Sequence, residues 1–521
     1  MVDTMFEMPL DPAGVPRGRA MIERAEWAAR AFASYDSATV QRIVDAAAQA
    51  GAARAKEFAE WAVRETGYGV AEHKLLKNVA CSTGIAAKYR ASDYIDVVID
   101  SADKMVEVPR PAGVVLALTP STNPVATVMF KIMLALLTRN AIVISPHPYA
   151  KAVCAEAART MAAAAVAAGA PDGCIQVVEE PSIPLISALM TDPRTDVILA
   201  TGGTPMVRAA YRSGNPAIGV GPGNVPVLVD ATADINAAAK RIVDSKSFDN
   251  SILCTNESVL IVEEAAAAGL LNAMTRSGAH VLSDDERDRV RDLVFPDGHF
   301  DTKWVGKDAT AIAAAANVRV NPKTKILVAP FDLVVPEEPL AHEKLCPVLG
   351  LVRVPNVGRG IDAAQAVLRI TGQGHSAAIH SSNAQTIMAF SAAVRVLRVS
   401  VNVGNSLGSS GIETNLAPTM TIGTGFLGRS SVGENLEPKH LINWTRIAHN
   451  ADASVPMADF AGLTPWEVPG GAVPTYPRAS NEANAAPLVP STVAMSNDAP
   501  DELRDEIRRL IIEELNAIVR G

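Results

Sequence analysis

Short apolar segments alternate with helical segments along most of the chain from Gly113 onward. The first of them predict strands at residues 113–118 and 141–145, with a helix between them at 124–138. Further strands are predicted at 174–178 and 196–200. Strands that alternate with helices form parallel sheets covered on both faces. The pattern therefore predicts an α/β fold that contains a doubly wound nucleotide-binding domain.

A second α/β pattern begins near residue 230 and continues to about residue 424. A chain of 521 residues can bury more than one core, so we assign the two patterns to separate domains. Residues 1–229 are predicted to hold N-terminal helices and the nucleotide-binding domain, and residues 230–424 a catalytic domain. The strands predicted for the second domain lie at 258–262, 325–329, 350–354, 377–379 and 397–402.

Two further segments predict structure outside these sheets. Residues 20–90 are rich in Ala, Glu, Arg and Lys at helical spacing, which predicts several amphipathic helices. Residues 94–99 and 104–108 flank a polar turn and predict a protruding β-ribbon. Because an exposed ribbon readily pairs with another subunit, we expect residues 94–108 and 425–450 to form the oligomerisation arm of a dimer or tetramer.

Charge and hydropathy exclude two classes of partner. The net charge of −9 leaves no basic face for a phosphate backbone, so no nucleic acid is expected to bind. The most apolar run, residues 125–137, contains Lys131 and is too short to span a membrane. Residues 1–19 hold Asp, Glu and Pro where a secretory signal needs a basic start and an apolar core, so a cytoplasmic protein is expected.

The cysteines predict neither disulfides nor a metal site. They are odd in number, far apart and never in a C-x-x-C pair, which fits a reducing compartment. The five are Cys81, Cys154, Cys174, Cys254 and Cys346.

Cys254 lies in a loop of small polar residues at 247–257. The loop joins a predicted helix at 236–246 to a predicted strand at 258–262. A thiol among amide and hydroxyl groups at such a junction suits nucleophilic attack. A structural cysteine is the alternative, because free cysteines commonly pack as small hydrophobic residues.

Thr201, Gly202 and Gly203 follow a predicted strand. We expect Thr204 to cap and Pro205 to begin a helix, whose free N–H groups a phosphate would reach over the two glycines. An ordinary strand-to-helix turn is the alternative, since the full G-x-G-x-x-G pattern is absent.

Asn123 lies in the loop between the predicted strand at 113–118 and the helix at 124–138. Ligands of parallel sheets bind beyond the carboxyl ends of strands, and an amide there can donate a hydrogen bond to a developing oxyanion. A helix N-cap would suit Asn123 equally well. The spacing alone leaves both interpretations open.

Seven short motifs follow one another in an order that resembles a known family. They are TPSTNP at 119–124, SPHP at 145–148, TGG at 201–203, GVGPGN at 219–224, DNSILC at 249–254, EKLCPV at 343–348 and GENLEPKHL at 433–441. This order resembles the CoA-acylating aldehyde dehydrogenases, and among them the propionaldehyde dehydrogenases of bacterial microcompartments. The likeness covers about residues 20–450.

The resemblance implies a mechanism based on Cys254. This cysteine would attack an aldehyde carbonyl, and the Asn123 amide and the Cys254 backbone N–H would hold the oxyanion. Hydride transfer to NAD or NADP would leave a thioester, which coenzyme A would displace as acyl-CoA. Small residues around Cys254 favour a short-chain, propionaldehyde-like aldehyde, with sulfoacetaldehyde as an alternative substrate.

One departure from the wider superfamily bears on the final acceptor. Hydrolytic aldehyde dehydrogenases carry a Glu-Leu-Gly-Gly segment whose glutamate activates water, whereas residues 219–223 here read GVGPG. Without that base, the thioester should survive until coenzyme A arrives. Glu257 could replace it, although a solvated or hydrogen-bonded loop carboxylate is the stronger interpretation. A hydrolytic enzyme that releases the free acid remains the alternative.

The resemblance also implies the cofactor contacts. Glu343 matches the glutamate that binds the nicotinamide ribose, and Pro146 and His147 fall on the adenosine side. His375 is either a functional residue or a capping or buried hydrogen-bonded histidine. The expected cofactor-binding residues are Thr119, Pro120, Ser121, Pro146, His147, Thr201, Gly202, Gly203, Gly221 and Glu343.

The C-terminal segment differs from the rest of the chain. Residues 463–499 are rich in Pro, Ser, Asn and Ala and predict a disordered linker, and residues 500–520 predict an amphipathic helix. This helix resembles the peptides that direct enzymes into the lumen of bacterial microcompartments, where it would bind shell proteins or other cargo. The alternatives are packing on its own enzyme, self-association, or a cofactor-free scaffold that organises a shell.

Overall fold

The computed structural model describes residues 14–466, so most of the predicted linker and all of the predicted terminal helix lie outside the described residues. The N-terminal helices predicted for residues 20–90 are confirmed. Asp36 caps the second of them by accepting a hydrogen bond from the Thr39 N–H at 2.9 Å. The helices are α1 (Val15–Phe32), α2 (Ser37–Ala53), α3 (Ala55–Thr66), α4 (Ala71–Val79), α5 (Ile85–Lys88) and α6 (Ser92–Ile95), with a π-helical turn at Ala80–Gly84.

The predicted ribbon follows these helices and is shorter than expected. Its strands are β1 (Val98–Asp100) and β2 (Met105–Pro111), which pair in antiparallel orientation. The prediction that the first strand begins at residue 94 is wrong, because α6 extends to Ile95, whose side chain is fully buried in the N-terminal core.

A five-stranded parallel sheet forms the first α/β unit, which confirms the predicted fold class. Its strands are β3 (Val114–Thr119), β4 (Ala141–Pro146), β5 (Ile175–Val177), β6 (Val197–Ala200) and β7 (Ala217–Gly219), in the order β5-β4-β3-β6-β7. The connecting helices are α7 (Pro124–Leu137), α8 (Lys151–Ala167), α9 (Ile183–Thr191) and α10 (Thr204–Arg212). After β5 the chain crosses from one side of β3 to the other. A crevice for a ligand is therefore expected beyond the carboxyl ends of β3 and β6.

Helix α7 is buried along its whole length, in agreement with its apolar sequence. Within residues 14–466, no helix has both the length and the apolar character that crossing a membrane would require.

A seven-stranded parallel sheet forms the second α/β unit, in the order β10-β11-β12-β9-β8-β13-β14. The strands are β8 (Val225–Val229), β9 (Glu257–Glu263), β10 (Ala279–Val281), β11 (Ile326–Pro330), β12 (Val348–Val354), β13 (Ala377–His380) and β14 (Val399–Val401). The helices are α11 (Ile235–Ser247), α12 (Glu264–Arg276), α13 (Asp284–Val294), α14 (Ala309–Ala315), α15 (Val357–Ile370), α16 (Ala384–Ala393) and α17 (Asn405–Gly408).

Strand β8 corrects the predicted boundary between residues 229 and 230. It belongs to the second sheet, so the second unit begins at Val225 or earlier. The strand escaped prediction because Pro226 lies inside it. A register shift between Val225 and Pro226 accommodates this proline, which cannot donate a ladder hydrogen bond.

The last described strand, β15 (Ile442–Ala448), pairs with β2 and completes a three-stranded antiparallel sheet. Strand β1 is exposed along its length and forms the free edge of this sheet. The arrangement has the exposed edge that the predicted oligomerisation arm requires, and pairing with another subunit stays a prediction.

Asn140 ties this arm to the first sheet. Its side-chain oxygen accepts a hydrogen bond from the Gly113 N–H at 2.7 Å, and its Nδ2 donates to the Leu441 carbonyl at 2.9 Å. The residue is fully buried, so water cannot replace either bond. We expect Asn140→Ala to lower the free energy of unfolding by about 2–3 kcal/mol, measured by urea denaturation.

The matched control is Asn383→Ala, which removes the exposed N-cap of α16 and is expected to cost about 1 kcal/mol. Equal losses for the two variants would contradict the role that we assign to Asn140.

Candidate active site

The loop that carries Cys254 has an unusual backbone. After α11, residues 248–251 form a single 3-10 turn in which Asp249, Asn250 and Ser251 have φ angles of 49°, 54° and 63°. Three successive non-glycine residues in the left-handed region are strained, and such a conformation persists only where the surroundings fix it. We call residues 248–254 the nucleophile loop.

Asp249 fixes the first of these residues. Its buried carboxylate accepts hydrogen bonds from the Val70 N–H at 2.6 Å, from the Lys74 ammonium at 3.0 Å and from the Lys77 ammonium. Its own N–H donates to Nδ1 of His73 at 2.8 Å. Burial alone would raise the pKa of Asp249, but the two ammonium groups outweigh it and hold the pKa below its ordinary value.

The other two strained residues have anchors of their own. Asn250 donates from Nδ2 to the Gly306 carbonyl at 3.0 Å and to the Asp308 carboxylate at 2.9 Å. The Ser251 hydroxyl donates to the Lys246 carbonyl. Each left-handed residue is therefore held by its own side chain, and the position of Cys254 is fixed with them.

Cys254 is partly accessible, whereas the other four cysteines are buried. Loss of solvent around the sulfur, reinforced by the nearby Glu343, raises the pKa of Cys254 to about 12. Its own backbone N–H and Arg398 act in the opposite direction. The resting thiol is therefore protonated at neutral pH, and the partly exposed Cys254 remains the predicted nucleophile.

Gly223 and Glu343 lie beside the nucleophile. A Cβ atom placed on Gly223 would approach the Cys254 carbonyl oxygen to 2.1 Å and Oε1 of Glu343 to 2.9 Å. No side chain therefore fits at residue 223. Burial raises the pKa of Glu343 to about 8, although Lys246 and the Gly223 N–H favour its charged form. Glu343 is thus largely protonated at neutral pH.

Asn123 occupies the N-cap position of α7, yet its side chain does not cap the helix. Its Oδ1 instead accepts a hydrogen bond from the Lys77 ammonium at 2.5 Å. Nδ2 has only a long contact of 3.4 Å with the Thr122 hydroxyl. The side-chain capping interpretation is therefore wrong, and the amide nitrogen remains available as a donor.

A small cavity of about 80 Å³ lies beyond the carboxyl ends of β3, β4 and β6. Residues from all three strand ends line it, together with the start of α10. Most of the predicted cofactor-binding residues are brought together there, namely Thr119, Pro120, Pro146, His147, Thr201, Gly202 and Gly203.

The chemistry of this cavity fits a nucleotide. Gly203 occupies the N-cap of α10 and no side chain caps the helix, so its first N–H groups are open to a phosphate. The expectation that Thr204 is the cap is wrong, because Thr204 is already the first helical residue. The hydroxyl of Ser145, which lines the cavity, is buried without a hydrogen-bond partner among the described residues.

His147 contributes to this cavity as a neutral side chain. Its Nδ1 accepts a hydrogen bond from the Tyr149 N–H at 3.1 Å, and burial lowers its pKa to about 4. A neutral imidazole offers contact surface without repelling the cationic parts of a ligand.

Three of the predicted cofactor residues do not line the cavity. Ser121 follows Pro120 in the loop before α7, and Glu343 lies beside Cys254. Gly221 donates its N–H to the Thr424 hydroxyl at 3.3 Å, and Thr421 in the same segment contacts the Thr201 hydroxyl at 3.2 Å. Thr421 and Thr424 therefore join the cavity to the segment before Gly223.

Glu257 and His375 have structural partners. The Glu257 carboxylate is fully buried and accepts hydrogen bonds from the Ser245 hydroxyl at 2.8 Å and the Asn405 N–H at 2.7 Å. This confirms a hydrogen-bonded carboxylate rather than a base exposed to water. His375 is fully buried with Nδ1 3.0 Å from the Ser376 hydroxyl, and burial lowers its pKa to about 3.

Sequence reasoning missed Lys74 and Lys77 altogether. Both lie on α4, three residues apart, in a segment that also contains Glu72, and such a pattern is typical of a solvated helix face. Their burial against Asp249 depends on a contact that no local spacing reveals. Within residues 14–466, no group of His, Cys, Asp and Glu side chains is arranged to hold a metal ion.

Comparison with known proteins decides the family. The profile of the aldehyde dehydrogenase family matches residues 13–415. The chain belongs to the aldehyde dehydrogenase family. It is 38% identical over 431 residues to the aldehyde-alcohol dehydrogenase of Clostridium acetobutylicum, a match that covers 82% of this chain and 50% of the relative. The chain thus spans about half the length of the bifunctional relatives that it matches.

Two single-function relatives match over nearly their whole length. The succinate-semialdehyde dehydrogenase (acetylating) of Clostridium kluyveri is 36% identical over 441 residues, with 84% of this chain and 97% of the relative covered. The sulfoacetaldehyde dehydrogenase (acylating) of Cupriavidus necator is 34% identical over 465 residues, with 87% and 94% covered.

Solved structures of acylating enzymes share the fold. An acetylating aldehyde dehydrogenase from Geobacillus thermoglucosidasius gives a TM-score of 0.83 at 36% identity, covering 85% of this chain and 98% of that chain. A propionaldehyde dehydrogenase from a Clostridium phytofermentans microcompartment gives a TM-score of 0.77 at 28% identity. This match covers 83% of this chain and 97% of that chain. A propionaldehyde dehydrogenase from Rhodopseudomonas palustris, with bound CoA and an acylated cysteine, gives a TM-score of 0.76 at 29% identity. This match covers 83% of this chain and 97% of that chain.

The proximity of Glu343 to Cys254 has a testable consequence for thiol reactivity. Glu343 has a pKa near 8, so its charge is present only above that pH, and only the charged form raises the pKa of Cys254. We expect Glu343→Gln to leave the rate of Cys254 alkylation by iodoacetamide unchanged at pH 6.5. At pH 9.5 the same substitution should increase the rate about threefold, because removal of a nearby negative charge raises the thiolate fraction.

The modified cysteine is identified by mass spectrometry, with Cys254→Ser as the background control. Equal rates for the wild type and Glu343→Gln at pH 9.5 would show that the carboxylate does not act on the thiol.

Proposed function

We propose that this dehydrogenase catalyses the NAD(P)-dependent, CoA-acylating oxidation of a short-chain, propionaldehyde-like aldehyde to an acyl-CoA through a thioester on Cys254. The acylating relatives and the acylated cysteine of a homologous structure support this assignment. Cys254 is also the one partly accessible cysteine among five.

The observation that carries the proposal is the close contact of Gly223 with the Cys254 carbonyl. Hydrolytic members of the superfamily place a glutamate in the corresponding segment, and in this chain residues 219–223 carry no side chain that can act as a base. A substituent at residue 223 would collide with the nucleophile loop. A thioester on Cys254 is therefore protected from activated water and can wait for a thiol.

The side chains around Cys254 then divide the chemistry among them. After the thiol loses its proton to solvent, its sulfur would form a bond to the aldehyde carbon as the carbonyl π bond breaks. The negative charge that develops on oxygen would be held by Nδ2 of Asn123 and the Cys254 N–H. Bound NAD(P)⁺ supplies the hydride acceptor. The acyl group remains on sulfur until the thiol of coenzyme A takes it and restores the Cys254 thiol.

Part of the cofactor would contact the residues that line the cavity beyond β3, β4 and β6, since a cavity of about 80 Å³ is too small for the whole dinucleotide. The N-terminus of α10 would face a phosphate, and Thr119, Ser145 and His147 line the walls. Glu343 would accept hydrogen bonds from the nicotinamide ribose, next to the reacting sulfur. A bound NADP⁺ in a homologous engineered glycolyl-CoA reductase supports a nicotinamide cofactor in this fold.

Sulfoacetaldehyde is the second candidate substrate. The Cupriavidus necator relative named for it is 34% identical to this chain, in a match that covers 94% of the relative. A panel of aldehydes that includes propionaldehyde and sulfoacetaldehyde, tested with NAD and NADP, compares kcat/KM for the two candidates directly.

The reaction is tested by following NADH or NADPH formation from propionaldehyde with and without coenzyme A. We expect product only with coenzyme A, and Cys254→Ala should lower the rate by more than about a thousandfold while cofactor binding persists. Turnover without coenzyme A would support the hydrolytic alternative. Full activity of Cys254→Ala would place the nucleophile elsewhere.

We further propose that the enzyme is a homo-oligomer located in a bacterial microcompartment. The free edge of β1 and its pairing with β2 support an arm that contacts another subunit. The apolar stripe in the sequence at residues 500–520 and the microcompartment origin of a homologous structure support the proposed microcompartment location.

Deletion of residues 499–521 tests whether this segment directs the enzyme to a microcompartment. We expect the shortened enzyme to keep its kcat and KM, because the residues assigned to the site lie between residues 119 and 343. It should no longer co-purify with shells when expressed beside shell proteins. Co-purification at the level of the full chain would contradict targeting by this segment.

A further inference from the structure

Two lysines on α4 are buried beside the predicted site. The side chains of Lys74 and Lys77 are 4% and 1% exposed, and both contact the fully buried carboxylate of Asp249. The cluster therefore carries two positive charges against one negative charge. Buried charge is costly unless polar groups compensate it, so the excess ammonium must find oxygen acceptors nearby.

Those acceptors lie in the loop before α7. Lys74 donates to the Thr122 carbonyl at 3.3 Å, and Lys77 donates to Oδ1 of Asn123 at 2.5 Å. The two contacts differ in kind. Lys74 contacts a backbone carbonyl, whereas Lys77 contacts the side chain that is expected to bind the oxyanion.

The contact with Lys77 determines which way the Asn123 amide faces. A carboxamide has an acceptor oxygen on one side and a donor NH₂ on the other, and an ammonium group can only donate. Oδ1 must therefore face Lys77, which leaves Nδ2 on the opposite side. The ammonium also polarises the amide and strengthens its N–H groups as donors.

We propose that Lys77 is a positioning residue for catalysis, which holds the Asn123 amide with its NH₂ group directed at the oxyanion. The proposal rests on the function assigned above, in which Asn123 stabilises that oxyanion. Asp249 binds Lys77 and also lies in the nucleophile loop, five residues before Cys254. One carboxylate thereby fixes both the nucleophile and, through Lys77, its oxyanion donor.

The test is a double-mutant cycle on kcat, made with the full-length enzyme. Lys77→Met and Asn123→Ala are prepared singly and together. If Lys77 acts through Asn123, its removal matters only while Asn123 is present. We expect Lys77→Met to lower kcat by about ten- to a hundredfold with little change in the KM for the aldehyde, since one oxyanion donor is worth about 10²–10³ in kcat.

The double variant is then expected to match Asn123→Ala within about twofold. Lys74→Met is the matched control, because it removes an ammonium from the same carboxylate without touching the Asn123 side chain. The factor by which Lys74→Met lowers kcat should multiply the factor for Asn123→Ala when the two substitutions are combined. Lys77→Gln, whose amide can still donate to Oδ1, should recover part of the kcat lost in Lys77→Met.

The iodoacetamide reactivity of Cys254 reports separately on the nucleophile loop. Each lysine variant removes one cation from Asp249, so any change in this reactivity should be similar in Lys74→Met and Lys77→Met. The cycle is repeated with Lys77→Gln if Lys77→Met does not fold. If the factors by which Lys77→Met and Asn123→Ala lower kcat multiply in the double variant, Lys77 does not act through Asn123 and the positioning role is wrong. This result would leave the proposed thioester chemistry unaffected. Unchanged kcat in Asn123→Ala would overturn the role of both residues. Loss of the CoA requirement would count against the proposed function alone.

Discussion

The proposed active site depends on one buried carboxylate, Asp249, that is shared by two ammonium groups. Asp249 begins a run of three left-handed residues, and its contacts with Lys74, Lys77 and the Val70 N–H hold that strained turn in place. A single cation would leave the carboxylate poorly compensated for its loss of water. Because Asp249 precedes Cys254 by only five residues, the ion cluster on α4 determines where the sulfur lies.

A second constraint acts from the opposite side of the loop. Gly223 lies so close to the Cys254 carbonyl that this carbonyl oxygen occupies the space that a side chain at residue 223 would need. The segment that holds Gly223, residues 219–223, carries no side chain that can act as a base, and the acceptor preference that we propose rests on this absence.

Sequence periodicity predicted the larger strands because buried parallel strands are continuous apolar runs. Two strands of three residues, β7 and β10, were not predicted, and β8 contains a proline, which argues against a strand. At the site, Cys254 and Asn123 were found because their loops join predicted elements. Lys77 was not, since its contact with Asp249 joins residues 172 positions apart and its helix resembles a solvated one.

The two carboxyl groups near the nucleophile show how local charge assigns different roles to similar side chains. Asp249 contacts two ammonium groups, which keep its pKa below its ordinary value. Glu343 makes no ion pair within the described part of the chain, and burial raises its pKa to about 8. A neutral Glu343 can lie beside Cys254 without opposing formation of a thiolate, whereas an ionised one would repel it. Direct ion pairs with Lys74 and Lys77 therefore separate Asp249 from Glu343, on which Lys246 and Lys344 act without a direct pair.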